Sequence, residues 1–73
     1  MNFGSLQIAT LWRLSKGGVE RRAEVLDSSK GPRLVIVESN RIVQWETFTL
    51  ARQLRHRAVE IRRELCKLGW IGR

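Results

Sequence analysis

The sequence predicts an α+β fold: a four-stranded antiparallel meander sheet followed by one C-terminal amphipathic helix packed on one face (ββββα). Three observations carry that expectation. Short apolar runs with period-2 alternation occupy the first two thirds of the chain. Gly17-Gly18 and Ser39-Asn40 punctuate them at places suited to two-residue turns. From Leu50 to Leu68 the period changes, and Leu50, Leu54, Ala58, Ile61, Leu65 and Leu68 fall within about 80° of one another on a helix. The 73 residues make a single small domain, 1–73, with the sheet over about 6–47 and the helix over about 48–68.

The first strand is expected from Leu6 to Leu14, with Leu6, Ile8, Trp12 and Leu14 on its inner face. Gly17-Gly18 supplies the positive φ angles of a tight hairpin, so Lys16 should face Val19, and Trp12 should face Ala23. The second strand, Val19 to Leu26, alternates Val19, Ala23 and Val25 with Glu20, Arg22 and Glu24. The same register sets Arg13 against Arg22, an unfavourable pair unless an anion lies between them. Asp27 to Pro32 is the clearest loop.

The third strand, Arg33 to Glu38, contains the continuous apolar run Leu34-Val35-Ile36-Val37. Ser39-Asn40 turns it into the fourth, Arg41 to about Thr47. An unbroken ladder would pair Ile36 with Val43, Leu34 with Trp45, and Val37 with Ile42. Both faces of this hairpin then look dry, and one helix covers only one. Val35, Val37 and Ile42 are therefore expected to form a homodimer interface, a common aid to a domain this small.

Thr47 or Thr49 is the expected helix cap, and Gly69 the expected C′ glycine, with Trp70 folding back as packing. The expected core is Ile8, Trp12, Leu14, Ala23, Val25, Leu34, Ile36, Val43, Trp45, Leu50, Leu54, Ala58, Ile61, Leu65 and Leu68.

No catalytic constellation is recognisable, and no enzyme activity is expected. His56 is the only histidine, Cys66 is the only cysteine, and neither has a partner at a useful spacing. Glu60 and Glu64 sit three residues from Arg57, Arg63 or Lys67 and read as surface partners. No phosphate-cradling glycine loop and no metal-ligand spacing occurs, so neither cofactor nor metal is expected. A lone thiol and the lack of a signal-peptide pattern suggest a cytoplasmic protein, and no apolar stretch is long enough for a membrane.

Charge is the functional signal. The chain carries +7 at pH 7. Residues 50–73 hold seven basic side chains against Glu60 and Glu64, a balance of +5; residues 1–49 hold seven against five, a balance of +2. Arginine outnumbers lysine eleven to three, and arginine binds phosphate bidentately. The expectation is a non-enzymatic nucleic-acid-binding protein (DNA or RNA). Arg52, Arg55, Arg62, Arg63 and Lys67 would contact phosphates, with Arg13 and Arg22 adding to them. Val59 lies within that basic face, where phosphate binding has no use for it. The alternative is therefore a protein-interaction module, a small regulator or inhibitor (phage-encoded, for example), docking its basic face on an acidic protein surface.

The element order from Leu6 to Leu68 is similar to the repeat unit of the Whirly and Pur-type single-stranded nucleic-acid binders. That resemblance implies paired units binding a strand across the sheet. Here the charge concentrates on the helix instead, and no site residue is carried over.

Overall fold

A computed structural model describes residues 7–72 of the chain, with side chains for 9–72. Leu6, the Ile8 side chain and Arg73 therefore lie outside the described residues. The order is β1 (Gln7–Lys16), β2 (Val19–Leu26), β3 (Arg33–Glu38), β4 (Arg41–Thr47), α1 (Ala51–Lys67) and β5 (Ile71–Gly72). The expected ββββα architecture is present, and a short fifth strand extends it. The sheet is antiparallel with strand order β4-β3-β2-β1-β5.

Both tight turns form where the sequence places them. Gly17 and Gly18 have φ of 57° and 82°, and Ser39 and Asn40 have 49° and 65°. Paired positive φ angles twist a two-residue loop in the same sense as its strands. The first turn fixes the first register: Lys16 faces Val19, Trp12 faces Ala23, and Arg13 faces Arg22.

The second hairpin departs from its expected register. Val37 faces Ile42, but Ile36 faces Gln44 and Val35 faces Trp45. Val43 is thus an extra residue, a β-bulge. One extra residue reverses the facing of everything beyond it. Trp45 consequently lies on the sheet face away from the helix, 58% exposed, and Val43 is also exposed. Neither belongs to the core. The helix-facing positions of β4 are instead Gln44 and Glu46, opposite Ile36 and Leu34.

The core lies between α1 and β1–β3. Leu14, Ala23, Leu34 and Ile36 from the sheet meet Leu54, Ala58, Ile61 and Leu65 from the helix. Leu11, Trp12, Val25, Phe48 and Trp70 pack around them, half-buried. Leu50 and Leu68, expected in this core, are exposed. In helical phase they fall on the same flank of α1 as Arg57, which turns toward β4, and the helix-facing residues of β4, Arg41, Gln44 and Glu46, are all polar.

The helix ends differ in how far they match expectation. Leu50 is the N-cap, and neither Thr47 nor Thr49 caps the helix. Leucine has no acceptor, so the Gln53 side chain reaches back and accepts from the Leu50 N–H at 3.3 Å. At the other end Gly69 adopts φ 102°. The Gly69 N–H donates to Cys66 O and the Trp70 N–H to Leu65 O, both at 3.1 Å, which is the Schellman pattern. Trp70 then packs on the core, with the Arg21 guanidinium 4.9 Å from its ring centre. The turn also aims the chain back along β1, where Ile71 pairs with Ser15 and Gly72 with Leu14.

Candidate nucleic-acid interface

Helical period sets the basic stripe. With Leu54, Ala58, Ile61 and Leu65 turned to the sheet, Arg52, Arg55, Arg62, Arg63 and Lys67 must project outward. All five are exposed, as are His56, Val59 and Cys66 beside them. From residue 52 to 67 the stripe runs about 23 Å along the axis. None of these five cations makes an ion pair with a described residue. Their field is directed into solvent, with no described carboxylate at ion-pair distance from any of them.

The two flanks of α1 differ in charge. Toward β4, Arg57 donates from Nε to Glu46 Oε2 at 3.0 Å and from Nη1 to Glu60 Oε1 at 3.3 Å. The hydrogen bond to Glu46 is the largest of the influences that raise the Arg57 pKa above the usual arginine value. Partial burial opposes it, and the pull of both carboxylates reinforces it. Glu60 is thus the surface partner expected of it, whereas Glu64 makes no ion pair with a described residue. Toward β1, by contrast, Arg55 and Arg62 flank a groove of about 280 Å³. Leu11, Trp12, Ala58 and Val59 complete its lining, and Val59 is 51% exposed.

Arg13 and Arg22 do not join the stripe. They alternate with Trp12, Leu14 and Ala23, so they occupy the sheet face opposite the helix. There they are already neutralised. Glu20 lies between them, 3.9 Å from Arg13 Nη1 and 3.8 Å from Arg22 Nη1. Arg22 Nε also donates to Glu24 at 2.5 Å. The anion that the like-charge pair needs comes from the chain itself. Of the seven cations singled out in the sequence, the structure therefore gathers Arg52, Arg55, Arg62, Arg63 and Lys67 and separates Arg13 and Arg22.

On that same outer face, Val35 and Val37 are 2% and 6% exposed within the single chain. Arg22 and Glu24 flank them from β2, and Ile42 and Trp45 flank them from β4. Of the three residues expected to meet a second copy, only Ile42 remains open, at 58% exposed. Trp45, with the Arg33 guanidinium 4.7 Å from its ring centre, stands beside it. Sequence reasoning missed this aromatic as a surface residue because the bulge that turns it outward leaves no mark in the alternation.

Among the described residues no group of His, Cys, Asp or Glu could hold a metal ion. No helix among the described residues is long and apolar enough to cross a membrane. No protein family, curated protein or solved structure matches the chain.

Proposed function

We propose that this chain is a small, basic, non-enzymatic nucleic-acid-binding protein of the cytoplasm. Its α1 stripe contacts the phosphate backbone through Arg52, Arg55, Arg62, Arg63 and Lys67. The observation that carries the reading is that, among the described residues, none of these five exposed side chains has an ion pair, while Arg13, Arg21, Arg22 and Arg57 each have a carboxylate partner. Contacts of this kind release counterions, so binding falls steeply with salt and depends little on sequence.

Fluorescence anisotropy with labelled single- and double-stranded DNA and RNA, titrated from low to high salt, tests it. Micromolar binding with a log–log salt slope near −4 for duplex DNA is expected if most of the stripe engages. No binding at micromolar protein and low salt overturns the reading.

Val59 and its groove favour one second reading, a module that docks on an acidic protein surface with an apolar centre. Capture from a nuclease-treated lysate separates the two. A protein partner retained after nuclease treatment supports docking, whereas material lost with the nucleic acid supports phosphate binding.

A further inference from the structure

Among the described residues β4 is an edge strand, and along its outer side its backbone N–H and C=O groups have no described strand to pair with. Edges that stay single are commonly short, bulged or guarded by inward charge, and β4 carries a bulge and the inward charges Arg41 and Glu46 in an arrangement that a second copy of the same edge satisfies. β4 is seven residues long and leaves Ile42, Val43 and Trp45 exposed. The bulge gives these residues an unusual order. Across from Val37 and Val35, Ile42 and Trp45 both lie on the outer face. Across from Glu38 and Leu34, Arg41 and Glu46 both lie on the helix face. In an unbulged strand, residues three apart would lie on opposite faces.

We propose that β4 pairs antiparallel with the β4 of a second copy, about a two-fold axis passing between Val43 and Gln44. That axis sets Ile42 against the partner copy's Trp45 on the outer face, and Arg41 against the partner copy's Glu46 on the helix face. Each contact occurs twice, as a two-fold interface requires. Apolar meets apolar and cation meets carboxylate only because the bulge aligns the two halves of the strand. Arg41 makes no ion pair within its own chain among the described residues, so it is available for this contact.

The charge layout admits a second copy at this edge despite a net charge of +7 per chain. The α1 flank facing β4 is the one on which Arg57 is matched by Glu46 and Glu60. Arg55 and Arg62 border the opposite flank, over β1. Arg55 and Arg62 of both copies thus point away from the shared edge, Arg52 shares its groove with the matched Arg57 and Glu60, and the two sheets become one continuous ten-stranded sheet with both helices on one side.

Sedimentation equilibrium on the full chain tests this without any nucleic acid. Twice the chain mass at micromolar concentration is expected. Arg41→Glu, at an exposed residue with no ion pair among the described residues, should leave the circular dichroism unchanged and weaken the dimer about tenfold or more by opposing two carboxylates. Trp45→Lys should do the same. The same two variants leave the α1 stripe intact, so phosphate binding and pairing fail independently. A wild-type monomer at 100 µM (roughly the upper range of transient self-association) overturns the proposal. A dimer whose dissociation is unmoved by both variants overturns it equally, because another surface then joins the copies.

Discussion

The Trp12 indole N–H donates to the carbonyl oxygen of Ala58 at 2.9 Å. One bond thereby ties the middle of α1 to β1 at the point where Thr10 and Trp12 bracket a register shift. Trp12→Phe keeps most of the apolar ring and removes the donor. The expected loss is about 1 kcal/mol, the net worth of a partly buried hydrogen bond. In a domain of this size that lowers the melting temperature by roughly 4–8 °C, read by thermal denaturation followed by circular dichroism.

Of the described glycines, Gly31 is the one least able to accept a side chain. Its φ is +120°, and an added Cβ would overlap the carbonyl oxygen of Phe48. That carbonyl lies in the stretch joining β4 to α1, held by the Phe48 N–H donating to Pro32 O at 2.9 Å. The clash is with backbone, which cannot swing aside as a lysine tip can. Gly31→Ala should therefore cost more than about 2 kcal/mol, whereas Gly17→Ala, strained in φ but open in space, should cost nearer 1. Urea midpoints at constant m-value distinguish the two.

The split between the two arginine groups predicts a split in salt dependence. Arg52→Ala and Arg63→Ala should each reduce the magnitude of the log–log salt slope for duplex DNA by about 0.9, one phosphate contact apiece. Arg22→Ala should leave the slope unchanged, because Arg22 is already bound to Glu20 and Glu24 on the far face of the sheet. Anisotropy titrations at four or more salt concentrations read the difference, at roughly constant Kd precision.

Cys66 offers a chemical version of the same test. It is exposed, and it lies in the stripe beside Arg62 and Arg63. Carboxymethylation with iodoacetate places a negative charge among the cations, whereas iodoacetamide adds a neutral group of similar size. The first should weaken nucleic-acid binding several-fold and the second should change it little. Equal losses would mean that bulk, not charge, matters at that position, and no loss from either reagent would mean that the stripe is not the contact surface.

The two hairpins show what the sequence makes legible. In the first, Gly17-Gly18 fix both loop length and turn type, and the distance from the turn to Trp12 sets its partner as Ala23. Ser39-Asn40 fix the second turn equally well, and Val37 faces Ile42 as expected. Past that pair, local pattern no longer decides. Both alignments give Trp45 an apolar partner, Leu34 or Val35, and the choice is made at long range, where Glu46 on the helix face meets Arg57 of α1. The same long-range choice leaves Leu50 and Leu68 uncovered, although their helical phase matches the buried stripe. The basic stripe itself was legible because helical period alone orients it, once one face is buried. What neighbours do to charge was not legible: Glu20 between Arg13 and Arg22 follows from the hairpin register, but its reach to both follows only from side-chain geometry. β5 left no signal, since two residues carry no periodicity.

The Schellman turn does more than stop a helix. It sends the chain back so that Ile71 reaches Ser15, while the Lys16 ammonium donates to Leu68 O at 2.6 Å across 52 positions of sequence. The sheet's last rung is consequently supplied by residues made after every other described element of the fold. Until the stretch beyond α1 has been synthesised, the margin of β1 at Leu14 and Ser15 stays raw, and the newborn polypeptide must wait for residues more than fifty positions onward, roughly the separation of Ser15 and Ile71, before it can seal that seam.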